Sequence, residues 1–226
     1  MALNVVFLGP PGVGKGTQAE RLAGSRGLWH VSTGAILRAC VRDGFGPDGR
    51  AGDPELVRQT AAILKAGQLV PDDLMMVLIR ESLAGVPAGS SGWLLDGFPR
   101  TAPQAEGLIG LLAELGADEP VVLEIYVPDD EIVRRLSGRL TCSTCGHVTA
   151  AGAAAEGDAC RVCDGHLAMR EDDRPETVRN RLAVFREKTR PAKDVLAARY
   201  RFERIDGLGS PNDVTRRIAG VLETAR

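Results

Sequence analysis

The run Gly9-Pro10-Pro11-Gly12-Val13-Gly14-Lys15-Gly16-Thr17 constrains this chain more than any other feature. It lies between an apolar stretch suited to a strand, Leu3–Leu8, and a helical pattern that opens at Lys15. A strand that turns through glycines straight into a helix is the first unit of a parallel α/β sheet. The glycines let backbone N–H groups converge on one point, and the helix N-terminus adds a partial positive charge there. Lys15 and Thr17 complete the set. The lysine suits the outer phosphates of a polyphosphate, and the threonine hydroxyl suits a phosphate-bound Mg2+. The competing reading is a Gly-rich turn without a ligand. Lysine behind the strand, with threonine after one inserted residue, Gly16, argues against it.

The rest of the chain continues the alternation. Strand patterns recur at Leu28–Val31, Trp93–Leu95, Val121–Val127 and Arg201–Ile205. Helical patterns cover Lys15–Ala23, Ala35–Arg42, Glu55–Ala66, Asp72–Ala84, Pro103–Leu115, Asp129–Ser137, Glu176–Arg199 and Asn212–Ala225. Asp72, Asp129 and Asn212 read as helix N-caps, and Thr101 precedes the 103–115 helix. Two segments break the pattern. Gly44–Pro54 is rich in Gly and Pro and reads as a surface loop. Leu140–Met169 lacks Phe, Tyr and Trp and holds four of the five cysteines, so it reads as a small unit that apolar burial alone cannot fold.

Those four form Cys142-x-x-Cys145 and Cys160-x-x-Cys163, with fourteen residues between the pairs. The spacing predicts a tetrahedral thiolate site for a structural Zn2+, with no open coordination position. His147 and His166 are bystanders in this reading. A redox role is the weaker alternative, because two pairs occur together in a segment without a core. Cys40, on the 35–42 helix, is a small partly buried apolar residue.

Basic residues number 28 and acidic residues 30, for a net charge of -2, which argues against a nucleic-acid or membrane-surface binder. No apolar run approaches the roughly 18–20 residues a membrane span requires. The chain opens on a strand pattern rather than a leader, so a cytoplasmic location is expected. Of the 28 basic residues, 24 are arginine. Composition accounts for most of them, but the planar guanidinium also suits bidentate contacts to phosphate.

Further motifs follow in order: Ser32-Thr33-Gly34 with Arg38; Gln68-Leu69-Val70; Leu95-Asp96-Gly97-Phe98-Pro99-Arg100 with Gln104; Gly138-Arg139; the four cysteines; Arg170 with Asp172-Asp173; and Arg181. With the Gly9–Thr17 loop, these make essentially the whole chain resemble adenylate kinase of the long form with a zinc-bearing lid. The resemblance implies an α/β, P-loop NTPase-like core with a five-stranded parallel sheet flanked by helices, made of residues 1–31, 71–138 and 175–226. It implies two mobile additions, a small helical monophosphate-binding subdomain at 32–70 and a lid at 139–174. The implied reaction is phosphoryl transfer between Mg-ATP and AMP, giving two ADP, in a cytoplasmic monomer without nucleic-acid or membrane partners.

The same resemblance assigns roles. Gly12, Val13, Gly14, Lys15, Gly16, Thr17, Arg139 and Gly209 fall on the ATP side, with Gly207 and Gly209 offering backbone to its base. Thr33 and Gln104 face the adenine of AMP, Arg38 and Arg100 its phosphate. Gln68, Leu69 and Val70 line its base and ribose, beside Gly97, Phe98 and Pro99. Arg170 and Arg181 bridge the two phosphate chains, and Arg135 acts with Arg139. Lys15, Arg100, Arg135, Arg139, Arg170 and Arg181 form the catalytic set. Asp96 stands near Mg2+, and Asp172 and Asp173 fasten the lid. Phe98-Pro99 is a position for a cis peptide. Arg134, Arg179 and Arg186 read as solvated helix faces.

Three departures from the family stand out. Ala35 replaces an Asp, an insertion of about nine residues falls around Phe45–Pro54, and Val148-Thr149 stands where relatives carry an aromatic residue. Two other functions compete with the implied one: a kinase for UMP or CMP, and a P-loop switch carrying a zinc-ribbon nucleic-acid module. The second requires a basic, aromatic surface that 140–169 lacks.

Overall fold

The structure, a computed structural model, describes residues 2–44, 54–149 and 152–223. Five parallel strands form the central sheet: β1 (Val5–Leu8), β2 (Trp29–Ser32), β3 (Trp93–Asp96), β4 (Val121–Tyr126) and, last in the chain, β8 (Phe202–Asp206). Their order is β2-β3-β1-β4-β8. Strand β1 is apolar at every position because both of its faces are covered. Val6 and Leu8 join a core built with Leu78, Ile79, Leu108 and Leu196, while Val5 and Phe7 join one built with Ala19, Leu22, Ile132 and Ile218. Those residues lie on helices α1 (Lys15–Arg26), α4 (Asp72–Ala84), α5 (Ala102–Glu114), α6 (Asp129–Ser137), α8 (Arg190–Arg199) and α9 (Pro211–Glu223). The expected parallel sheet flanked by helices is therefore observed. Helices α2 (Thr33–Asp43) and α3 (Pro54–Lys65) follow β2.

Leu140–Met169 forms a separate antiparallel sheet in the order β6-β5-β7, from β5 (Leu140–Cys142), β6 (Val148–Thr149) and β7 (Leu167–Met169). Among the described residues its buried cluster holds Leu140 and Leu167 beside Cys142 and Cys160, with Ala154 and Cys163 packed against it. The Gly44–Pro54 loop and its insertion lie outside the described residues, apart from Gly44 and Pro54. Cys40 is buried on α2.

Two details differ from expectation. The single helix read over 176–199 is instead α7 (Pro175–Val184), a π-helical turn at Phe185–Thr189, and α8. Pro191 supplies the reason, since it has no N–H to donate to the preceding turn and its ring crowds the carbonyl four residues earlier. A wider turn there relieves both problems. The helix caps also fall elsewhere. Pro71 and Pro128 occupy the N-cap positions of α4 and α6 without a side-chain cap bond, so Asp72 and Asp129 sit in the first turns and act through the helix dipole. Ahead of α9, Ser210 Oγ accepts the N–H of Asp213 at 3.3 Å and Asp213 Oδ2 accepts the N–H of Ser210 at 2.9 Å, which leaves Asn212 inside the helix. Thr101 caps α5 as its position suggested, accepting the N–H of Gln104 at 3.2 Å.

Candidate active site

The carboxyl ends of β1 and β3 lie side by side, with Phe7 in register with Asp96. In open parallel sheets, ligands bind outside this end, where the strand order reverses. Gly9 leaves β1 at φ +136°, and a Cβ there would collide with the Ile125 carbonyl oxygen, so only glycine fits. Gly14, at φ +97°, starts α1 with no capping side chain and no acidic residue in the first turn. The N–H groups of that turn are thus available to an anion. Lys15 Nζ folds back on the loop, donating to the carbonyls of Gly9 at 2.7 Å and Pro10 at 2.8 Å. Burial pushes its pKa down to about 7, Asp96 opposes that shift, and Arg100, Arg181 and Arg139 add to it.

Lys15 opens onto a cleft of about 810 Å³ that is also lined by Gly34, Arg38, Arg100, Asp172, Arg181 and Phe185. Burial lowers the pKa of Arg38, of Arg100 to about 10, and of Arg170 to about 9, with neighbouring arginines contributing to each shift. Arg139 makes a two-pronged ion pair with the fully buried Asp173, at 2.7 and 2.6 Å. Arg181 Nη1 reaches Asp172 Oδ2 at 2.9 Å and Asp173 Oδ1 at 3.0 Å. Burial alone would raise the Asp172 carboxyl, but Arg181, Arg38, Arg139 and Arg170 outweigh it and hold it below the ordinary range. Arg170 Nε donates to Thr141 Oγ1 at 2.7 Å. Lys15 and these five arginines outnumber the three carboxylates they interact with, Asp96, Asp172 and Asp173. A confined excess of cations in one cleft is a site for polyanions.

Beside it lies a smaller pocket of about 290 Å³, lined by Thr33, Leu37, Leu64, Gln68, Leu69, Val70, Met75, Arg100 and Gln104. Thr33 Oγ1 contacts the carbonyls of Asp96 at 3.3 Å and Gly97 at 3.1 Å. Gly97 has φ +84°, and a Cβ there would meet both Arg100 Nη2 and Thr33 Oγ1 at 2.9 Å. Arg100 Nε donates to the Gly97 carbonyl at 2.7 Å, and Phe98-Pro99 is cis. Leu37, Leu64 and Met75 were not singled out from the sequence, where they read as ordinary core positions of helices.

Asp96 is buried, and among the described residues no Lys or Arg pairs with it directly. Ser32 Oγ is 3.4 Å from its Oδ2, and His30 Nε2, buried and without a hydrogen-bond partner, is 4.0 Å away. A buried carboxylate in the field of Lys15 and Arg100 but not paired directly with either fits a phosphate-bound Mg2+ nearby. Arg135 is engaged differently from the cleft arginines. It pairs with Glu131 at 2.6 Å and donates to the carbonyls of Val13 at 3.3 Å and Gly207 at 3.0 Å, joining the phosphate loop to the turn after β8. Gly209 lies in that turn at φ +95°. Arg134, Arg179 and Arg186 are exposed, as read from the sequence. Ala35 leaves α2 with no acidic residue in its first turn.

The four cysteine sulfurs lie within 4.8 Å of one another, and among the described residues no other group of His, Cys, Asp and Glu side chains comes together as a metal site. Cys142 Sγ is 3.5 Å from Cys163 Sγ, and Cys145 Sγ is 3.7 Å from Cys160 Sγ. A tetrahedral zinc with Zn–S near ~2.3 Å needs sulfurs about 3.8 Å apart. Backbone N–H groups of Thr144, Val162 and Gly165 point at the sulfurs of Cys142, Cys160 and Cys163, each at 3.4 Å. The Cys145 N–H lowers the Cys142 thiol while the other three sulfurs help raise that of Cys145, the opposed shifts of thiols that share one site. His147 Nε2 instead accepts from Arg161 at 3.1 Å.

A family model described as adenylate kinase matches residues 7–200. Curated relatives match along nearly their whole length. An adenylate kinase of Acidothermus cellulolyticus is 45% identical over 97% of this chain and 98% of its own. One of Salinispora tropica is 42% identical over 98% and 99%, and one of Methanothrix thermoacetophila 42% over 97% and 98%.

Proposed function

This chain belongs to the adenylate kinase family, and we infer that it transfers the terminal phosphoryl group of Mg-ATP reversibly to AMP, giving two ADP. The observation that carries this reading is the single cleft in which Lys15 on the phosphate loop faces Arg38, Arg100 and Arg181 beside the Thr33–Gln104 pocket.

In this reading ATP lies on the Gly9–Thr17 loop, with its base toward Arg135 and Gly209. AMP seats its base in the smaller pocket and its phosphate against Arg38 and Arg100. An oxygen of the AMP phosphate attacks the γ-phosphorus, the bond to the β–γ bridging oxygen breaks, and its electrons leave with ADP. The attacking oxygen is already ionised, so no general base is needed. The obstacle is repulsion between two polyanions. Lys15, Arg139, Arg170 and Arg181 offset it and hold the two chains in line. Asp96 and Thr17 would hold the ATP-bound Mg2+ between them, partly through water, and that ion would add positive charge at the β- and γ-oxygens. Cys142, Cys145, Cys160 and Cys163 would hold one structural Zn2+, which supplies fold rather than chemistry. Residues 32–70 and 139–174 act as the two closing subdomains over a core of 1–31, 71–138 and 175–226. Their closure excludes water that would otherwise hydrolyse ATP. Family likeness extends the reading to a cytoplasmic monomer.

ADP formation from Mg-ATP with AMP, GMP, UMP and CMP in turn tests the reading. AMP is expected to be the preferred acceptor by a wide margin in kcat/KM. Turnover with UMP or CMP but not with AMP would transfer the assignment to another monophosphate kinase. No turnover with any of them would remove it.

A further inference from the structure

We propose that Asp72, which does not line the nucleotide cavity, determines which base the monophosphate pocket accepts by locking the orientation of Gln104. The proposal rests on the assignment of that pocket to the AMP base. Gln104 is almost wholly buried, at 1% exposure, and both ends of its amide are engaged. Its Oε1 accepts the backbone N–H of Arg100 at 2.8 Å, and its Nε2 donates to Asp72 Oδ1 at 2.7 Å. Thr101 Oγ1 donates to the other carboxylate oxygen, Asp72 Oδ2, at 3.0 Å and accepts the N–H of Gln104 at 3.2 Å. The ring of hydrogen bonds is closed.

The chemistry of the partners permits one arrangement only. An ionised carboxylate accepts and cannot donate, and a backbone N–H donates and cannot accept. The glutamine NH2 must therefore face Asp72, and its oxygen must face Arg100. Turning the amide over would set oxygen against carboxylate and NH2 against N–H, leaving two donors and two acceptors unpaired. Fixed in this way, Gln104 has one free lone pair on Oε1 and one free N–H on Nε2 to offer the pocket. Adenine presents an amino donor next to a ring-nitrogen acceptor, which matches that pair. Hypoxanthine and guanine present a carbonyl acceptor next to a ring N–H donor, the reverse pattern. A glutamine free to turn over would serve both. Asp72 is thus a positioning residue for base choice and does not touch the substrate.

The test compares kcat/KM for AMP with that for inosine monophosphate, which differs only in carrying the carbonyl in place of the amino group. Three proteins are measured with Mg-ATP: the native enzyme, Asp72→Leu and Asp72→Asn. Leucine has a similar size and no acceptor. Asparagine has no charge but still offers an oxygen to Nε2 and an NH2 to Thr101. Both substitutions remove the same charge from the first turn of α4 and so share any loss of thermal stability. The native enzyme is expected to favour AMP strongly. Asp72→Leu is expected to reduce that ratio by about tenfold or more with the KM for ATP unchanged, and Asp72→Asn is expected to keep most of it. If Asp72→Leu does not fold, Asp72→Ala removes the same acceptor and is judged by the same ratio. A native enzyme that does not discriminate between the two would overturn the assignment of the pocket itself. Discrimination in the native enzyme that survives Asp72→Leu, or that Asp72→Leu and Asp72→Asn lose equally, would overturn the role of Asp72 alone.

Discussion

Lys15→Met is expected to lower kcat by about 10²–10³-fold, the usual result of removing one group that stabilises transition-state charge. The fold should survive. In the free protein Lys15 makes its two hydrogen bonds within the phosphate loop, to the carbonyls of Gly9 and Pro10, and takes part in neither apolar core. The same substitution has a second consequence, in proton linkage. Burial holds the Lys15 pKa at about 7 in the free protein, so at pH 8 the amine is largely uncharged. A bound triphosphate supplies the missing negative charge and raises that pKa. Binding at pH 8 should therefore take up close to one proton, and the uptake should fade below pH 7, where the lysine already carries it. Titration calorimetry of ATP in two buffers of different ionisation enthalpy measures this. Uptake in the native protein and none in Lys15→Met is the expected result. Native-like turnover in Lys15→Met would contradict the assignment of the loop.

Removing the metal should have an effect of similar size by a different route. Among its described residues the 140–169 unit buries two leucines with Cys142 and Cys160 in its apolar cluster, too little apolar surface to fold a separate unit. In such units the free energy of metal binding is the folding free energy. The purified protein should contain one zinc per chain. Chelation, or Cys142→Ser, should expose 140–169 to hydrogen exchange and proteolysis while the five-stranded sheet stays protected. Turnover should fall as well, because Arg139 and Arg170 flank this unit and reach the cleft only when it is folded. A metal-free protein with a fully protected 140–169 segment would show that the thiolate reading is wrong.

Which parts of this picture were legible in the sequence follows from the range of the forces involved. The strands and the phosphate loop were, because a doubly covered strand is apolar at every position and a backbone phosphate nest needs glycine at fixed places. Pairing of the four cysteines was legible because metal ligation fixes spacing. The division of Arg134 from Arg135 came from the family motif, and its physical reason appears only in three dimensions. Adjacent residues on a helix differ by about 100° in direction, and one of this pair faces solvent while the other reaches Val13 and Gly207. The π-helical turn was missed because helical periodicity continues through Phe185–Thr189, although Pro191 marked the place. Asp72 was misread for a related reason. Ahead of an apolar run it looks like a cap, and its actual partners, Thr101 and Gln104, are 29 and 32 residues away. Side-chain networks that close across the fold leave no local pattern.

The central claim is that one cleft seats both nucleotides with their phosphate chains end to end. The most direct measurement uses one molecule with adenosine at each end of a five-phosphate chain, long enough to fill both positions and the gap between them. Calorimetry should show one molecule bound per chain, much tighter than ATP or AMP alone, with ATP and AMP each displacing it. Binding of two molecules per chain, or displacement by only one of the two nucleotides, would contradict the account.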